Sequence, residues 1–389
     1  MPTRMPANAD VVVIGAGPAG SALSLRLARI GCQVVLLERT AFDEFRIGES
    51  IPPGAAARLQ QLGVLDAVLE TRPAPVYGVK SAWGGEELDS SSFLGNPLLN
   101  GWHVERQLFD SLLTSLAEEA GANVMRQTCA RWVEPVEGGG WSVLVSSQEQ
   151  GEQRIGCRFL VNAAGRSARL SRQMGVGRVR SDRLIGIAGV FENTPHFDAM
   201  ASLIEAHALG WWYSGGLPDG RAIVIFFTDP DISARHGLAR PAEWSRLLAE
   251  SRHTFGRFSS RSTAVVSLRV FPAASHHLER AAGDTWLAIG DALTGRDPLS
   301  SSGIDFALAS AERASSLLCT LASGDSQSVD GFNREARADY FAYQRQQLAY
   351  YAMERRWPDS LFWRRRSANV ARAGCASRFA DATGAHPVS

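Results

Sequence analysis

Four apolar positions, Val11 to Ile14, run without a polar break into a glycine-rich turn, and residues 21–30 then place apolar side chains at helical spacing. An uninterrupted β-branched run of this kind predicts a strand buried on both faces. A second run, 33–37, ends in Glu38. The pattern next predicts short helices over 55–62 and 64–69, a strand over 76–83, a polar loop or irregular strand over 86–100, and an amphipathic helix carrying Phe109, Leu112, Leu113 and Leu116. Alternation over 131–136, 141–145 and 154–160 predicts a small antiparallel meander. Residues 160–166 return to the parallel type, an apolar strand entering a small-residue turn, with a helix over 170–174.

From 184 to 270 the period changes, and strands are predicted over 184–191, 201–205, 211–216, 222–228 and 264–271, interrupted by a helix over 241–251. A buried strand over 285–292 contains Gly290-Asp291, a loop covers 296–303, and helices follow over 304–321, 327–355 and 360–370, with a loose end over 371–389. The fold class expected is α/β: a Rossmann-like nucleotide-binding domain, a second domain that is mainly antiparallel sheet, and a C-terminal helical segment. The boundaries expected are 1–75, 101–180 and 272–325 for the first, 76–100 and 181–271 for the second, and 326–389 for the helical region.

The chemistry begins in the first turn. Gly15-Ala16-Gly17-Pro18-Ala19-Gly20 is G-x-G-x-x-G in strand–turn–helix context, the arrangement that binds a dinucleotide. Gly15 permits the tight turn, Gly17 lets backbone approach a pyrophosphate, and Gly20 lets helix and strand pack closely. The anion sits on the free N–H groups and positive end of the helix. Glu38, about 20 residues on, stands where a ribose hydroxyl is held.

Composition narrows the class. The chain has 389 residues, 45% hydrophobic and 21% charged, with a formal net charge of zero. That balance gives no global reason to expect nucleic acid or an anionic membrane as partner, and no apolar run is long enough to span a bilayer. Residues 1–9 lack the apolar core of a signal peptide, so a cytoplasmic location is expected. The five cysteines are scattered, with neither a CxxC pair nor metal-ligand spacing, and no metal site is expected. Lys80 is the single lysine among 40 basic residues. A lysine kept against such a bias suits a role as a compact ammonium, though a plain strand lysine fits as well.

The fingerprint with Glu38, Arg106 on the 102–110 segment, and the 287–303 stretch together resemble the FAD-dependent monooxygenases of the aromatic-hydroxylase fold, including the flavin-dependent halogenases. The resemblance covers roughly residues 8–320. It implies FAD held by Gly15, Gly17, Ala19, Gly20, Glu38, Arg39, Arg46, Ser50, Arg106, Asp291, Pro298, Ser302 and Gly303. Asp291 would bind the ribityl chain, and Asp297-Pro298 to Gly303 would be the loop beside the flavin ring, where the following helix presents N–H groups. Residues 45–50, 101–106, 210–219 and 297–303 look like the halogenase-related branch, which includes maturation flavoproteins that hydroxylate a tryptophan of a partner enzyme.

Within that branch the resemblance separates two chemistries. Tryptophan halogenases use a lysine at the position corresponding to Lys80, carry W-x-W-x-I-P, and have a Glu in their E-P-L-E-S loop. Here the second element is replaced by Gly210-Trp211-Trp212-Tyr213-Ser214, and the Glu position is Ser300. The expected reaction is therefore hydroxylation of an aromatic ring by O₂ through a flavin C4a-hydroperoxide. The ring would be an indole or a protein- or carrier-borne tryptophan, since an indole needs no base to be nucleophilic. Lys80, Trp212, His103 and Ser300 are the candidate catalytic residues. Electrons would come from NAD(P)H directly or from a separate flavin reductase. A halogenase using Lys80, a reductase of isoprenoid double bonds, and a non-catalytic flavoprotein escort are the alternatives. Arg355-Arg356-Trp357 and Trp363-Arg364-Arg365-Arg366 combine Arg with Trp, as docking faces do, or form a solvated basic helix.

Overall fold

The computed structural model describes residues 6–93, 100–192, 194, 197–258, 265 and 267–367. The expected loose end over 371–389 lies outside these residues, as do parts of the predicted segments 86–100, 264–271 and 360–370.

The apolar strand Asn8–Ile14 lies between Val34–Leu37 and Gly151–Asn162, parallel to both. Asn123–Met125 extends the sheet on one side and Trp286–Ala288 on the other, again parallel. The strands therefore end together at Ile14, Leu37, Asn162 and Ala288, and ligands of open α/β sheets bind at such carboxyl ends. The sequence pattern splits 151–162 at Leu160, but the structure makes it one strand. Its first half, exposed over residues 151–154, pairs antiparallel with Trp141–Ser147, which pairs with Thr128–Pro135. Its second half is covered on both faces and joins the parallel sheet.

The second sheet has seven strands in the order Leu268–Pro272, Ile185–Phe191, Ala222–Thr228, Gly210–Gly216, Ala201–His207, Gly78–Ala82 and Asp89–Ser92. Every pairing is antiparallel except that of Ala201–His207 with Gly78–Ala82. The strand expected over 76–83 is two strands. Ala74–Val76 belongs to a small bridging sheet with Gly101–His103 and Ser50–Ile51, while Gly78–Ala82 enters the large one.

The two faces of the large sheet are covered differently. Trp83, Trp211, Tyr213, Ile223, Ile225 and Phe227 pack with Tyr351, Phe362 and Trp363 from the C-terminal end, and Leu299 packs against the same cluster. On the other face, Trp212, Val224 and Phe226 pack under Trp244, Leu247 and Leu248 of the Pro241–Ala249 helix. The Ser328–Met353 helix contributes Val329 and Phe332 to the first core and Tyr351 to the second, so it spans both.

Candidate functional site

The glycine turn is built on close approaches that exclude any side chain at two of its three positions. Gly15 has φ of +108°, and a Cβ there would stand 2.4 Å from the Ala163 carbonyl oxygen. A Cβ on Gly20 would stand 1.9 Å from the Gly15 carbonyl oxygen. A Cβ on Gly17 would meet nothing within 4 Å, so the turn leaves open the side on which a phosphate can reach the start of the Pro18–Arg29 helix.

Glu38, at the end of the next strand, is buried and braces this turn. One carboxylate oxygen accepts the Ala16 N–H at 3.1 Å. The other accepts from the Thr40 N–H and hydroxyl and from the Arg46 guanidinium at 2.9 Å. Arg46 also reaches Asp110, at 2.9 Å. Burial opposes the Arg46 charge, but Glu38 and Asp110 more than offset it and hold its pKa above the ordinary value. Asp110 in turn accepts from Arg106, one turn earlier on the Arg106–Glu119 helix, and Arg106 donates to the carbonyls of Ile47 and Gly48. Asp110 is therefore the buried acid that joins the two arginines, and sequence reasoning passed over it. Its signal was an acid beside Phe109 on the apolar face of the helix. Thr114 was missed likewise; its hydroxyl lies 2.9 Å from that of Ser21 and ties that helix to the fingerprint helix. Arg39 is exposed next to Glu38.

The downstream elements meet the turn in space. Gly290 has φ of +56°, and a Cβ there would stand 2.9 Å from the Ala19 Cβ. Its N–H donates to Ser310 of the Gly303–Ala322 helix at 2.9 Å. Asp291, partly exposed at the strand ends, accepts from Arg166 at 2.9 Å. Behind it, Arg178 donates to the Arg166 carbonyl and lies against His276, whose Nε2 is 2.9 Å from the Asp291 carbonyl oxygen. Burial, then the charges of Arg178 and Arg166, pushes His276 down to about 4. The loop that follows begins at Asp297, which caps a 3₁₀ turn over Pro298–Ser300 by accepting the Leu299 N–H. The Ser300 hydroxyl lies 2.8 Å from that of Ser302, which Arg296 also reaches. Gly303 opens the long helix with free space where a Cβ would point.

The candidate catalytic residues do not converge. Successive side chains of a strand point to opposite faces. Val79 packs with the cluster that contacts Leu299 of the loop, so Lys80 points from the other face. It is in register with Leu203 there, and its ammonium forms an exposed ion pair with Asp198 at 2.8 Å. Trp212 also projects from that face. It is fully buried, edge-on to Trp244 at 5.2 Å between ring centroids. Lys80 and Trp212 therefore share the face opposite the one that Leu299 packs against.

His103 is in register with Ser50 but is enclosed on every side. Its Nδ1 lies 2.7 Å from the Gly216 carbonyl oxygen, which can only accept, so Nδ1 carries the proton. Nε2 then faces the hydroxyls of Ser202 at 3.0 Å and Tyr213 at 3.3 Å. Burial lowers the His103 pKa, and burial with the Glu49 charge raises that of Tyr213. His103 is thus an enclosed ring, its charged form disfavoured, that joins the Ser50 strand to the second sheet. The C-terminal Arg/Trp segment makes mostly internal contacts. Arg356 pairs with Glu354, Arg365 with Asp229 and Asp231, and Arg366 is buried against Asp229, while Trp363 is buried and donates to the His207 carbonyl. These groups hold the fold together; Arg355 and Arg364 are the exposed ones.

A dinucleotide cradle at the parallel-strand ends, a braced acid behind it, and a Gly-Asp element and open helix start arriving from far downstream fit FAD. Fold and site define an FAD-dependent oxidoreductase. The chain belongs to the FAD-binding domain family, matched over residues 8–342. It is 33% identical over 363 residues to LodB of Marinomonas mediterranea, which bears the name of an FAD-dependent oxidoreductase; the match covers 92% of this chain and 97% of the relative. Among solved structures, the myxobacterial chondrochloren halogenase CndH superposes with a TM-score of 0.84 at 26% identity, covering 96% of this chain and 90% of that one. The peptidyl tryptophan dihydroxylase QhpG, essential for tryptophylquinone cofactor biogenesis, superposes with a TM-score of 0.75 at 25% identity, covering 93% and 79%. Among the described residues no helix is long and apolar enough to cross a membrane, and no group of three or more acidic, His or Cys residues could hold a metal ion.

Proposed function

We propose that this protein is an FAD-dependent monooxygenase that hydroxylates an electron-rich aromatic ring, with an indole carried by a partner protein as the preferred substrate. The observation that carries the choice of hydroxylation over halogenation is the direction of Lys80. The halogenase resemblance requires a lysine near the flavin, and Lys80 stands in an exposed ion pair on the opposite face of the sheet from Leu299. The family membership supports FAD, and the likeness to a peptidyl tryptophan dihydroxylase supports the substrate class.

Bound FAD supplies the oxygen chemistry. The chain's own residues would hold it: Gly17 and the helix start would receive the pyrophosphate, Glu38 the ribose, and Asp291 the ribityl chain. Ser50, Pro298, Ser302 and Gly303 would border the ring. Arg46 and Arg106 fix these parts through Asp110. The sheet face bearing Tyr213 is dry and aromatic, which suits exclusion of water from an apolar ring substrate. Reducing equivalents come from NAD(P)H or a flavin reductase.

The test is incubation of the holoenzyme with NADH, a flavin reductase, isotopically labelled dioxygen and a tryptophan-containing partner or peptide, with and without bromide, followed by product mass. Label in a hydroxylated indole, indifferent to bromide, supports the proposal. Bromine in the product makes the protein a halogenase instead, and partner binding without oxygen uptake makes it an escort.

A further inference from the structure

We propose that Tyr343, Gln347 and Tyr351 of the Ser328–Met353 helix are positioning residues of the FAD site, because all three place their polar heads on Asp297, the first residue of the loop that borders the flavin. The inference rests on the assignment of that loop to the flavin and on FAD binding, but not on the identity of the substrate.

The three residues are spaced i, i+4, i+8 and so form one stripe of the helix. The Asp297 N–H donates to the Tyr343 hydroxyl at 2.6 Å. Gln347 Nε2 donates to Asp297 Oδ2 at 2.9 Å, and the Tyr351 hydroxyl donates to the same oxygen at 2.8 Å. Each head has a second partner. Tyr343 and Gln347 reach the Ser275 hydroxyl at 2.8 and 3.0 Å. The Tyr351 oxygen accepts the Trp211 indole N–H at 3.1 Å. Arg366 stands over the Tyr351 ring, 5.1 Å from its centroid.

A helix that only covered a core would turn apolar side chains inward. Here a buried aspartate is met by three polar side chains, two on its carboxylate and one on its N–H, although burying polar groups is unfavourable unless each is satisfied. Asp297 is 2% exposed, and burial with the nearby Asp182 charge raises its pKa; Leu299, Gln347 and Tyr351 oppose that rise. The anchor has a strained segment to hold. Ser301, four residues after Asp297, has φ of +46°, in the left-handed region that non-glycine residues rarely adopt. Such strain persists only where the surroundings over-determine it. Asp297 caps the turn that precedes Ser301, so fixing Asp297 fixes the approach of Pro298 to Ser302 and the start of the Gly303–Ala322 helix.

The experiment compares FAD-loaded Tyr351→Phe and Gln347→Leu with Trp244→Phe, which loses a hydrogen bond to the Ile187 carbonyl on the other face of the large sheet, away from Tyr351. FAD affinity is read by fluorescence titration, with the visible spectrum and midpoint potential of the bound flavin and the melting temperature. Loss of one hydrogen bond to a charged group corresponds to about tenfold or more in FAD affinity. The first two variants are expected to lose that affinity and to shift the flavin spectrum and potential; Trp244→Phe is expected to lower the melting temperature alone. Wild-type affinity, spectrum and potential in Tyr351→Phe, with only stability lost, would overturn the inference. Gln347 is partly exposed, so Gln347→Leu gives a folded second reading should Tyr351→Phe fail to fold. None of these readouts needs a substrate, so failure of the hydroxylation proposal is seen separately.

Discussion

Lys80 Nζ lies 2.8 Å from Asp198 Oδ2, and the two side chains are 41% and 44% exposed. This pair holds the chain's single lysine on the sheet face opposite the one that Leu299 packs against. Lys80→Met is therefore expected to leave turnover within about threefold of wild type, and to change stability by no more than about 1 kcal/mol, as exposed ion pairs do. Steady-state oxygen consumption with labelled product checks the first, and chemical denaturation the second. Loss of product by a factor of a hundred or so would restore the halogenase-like role of this lysine.

Trp212 is packed against Phe226 and Trp244 under the helix-covered face. Trp212→Phe should cost about 1–3 kcal/mol of stability, as large-to-smaller core changes do. The folded fraction should hydroxylate at the wild-type rate. A melting curve paired with activity per bound FAD separates the two effects.

The glycines of the first turn should part company when given a methyl group. Gly17→Ala meets no neighbour and should melt like wild type. It fills the phosphate cradle, so FAD affinity should fall by about 2–3 kcal/mol, a factor of about 30 to 150. Gly20→Ala drives a Cβ into the Gly15 carbonyl and should lose about 1–3 kcal/mol or more before any ligand is added. Thermal melts of apo protein and FAD titrations distinguish the two positions.

Stability should fall on mild acidification. His276 lies at about 4, below its ordinary 6.5, because burial and then Arg178 and Arg166 disfavour its charged form. Burial lowers His103 in the same direction. Folded protein keeps these rings neutral while the unfolded chain protonates them near 6.5. Their stabilising contribution is fully present above about pH 6.5 and is lost as pH falls from there towards 4. Denaturation midpoints across that range should drop, and His276→Asn should flatten the dependence.

The alternative to this arrangement of roles was visible in the primary structure only up to a point. The glycine turn at Gly15, Gly17 and Gly20, the strand on each side of it and Glu38 at a strand end were legible from the pattern, while the Gly290-Asp291 element was legible only through a family resemblance. Each is a local demand: a backbone that must turn tightly, approach a phosphate or pack without a Cβ can be met by few residues at a fixed spacing. The antiparallel character of the second sheet was legible for the same reason, since alternation is a property of neighbours in sequence. What the chain could not state was which way each strand faces. Lys80 and Val79 are equivalent in sequence, and the choice between them came from pairing with Leu203 and Ser202, more than a hundred residues away. Asp110 between Arg46 and Arg106, the enclosure of His103, and the convergence of Tyr343, Gln347 and Tyr351 on Asp297 are also long-range facts. They were decided by packing, because burial and charge pairing are set by the neighbours a folded chain brings together, and local pattern carries no record of those neighbours.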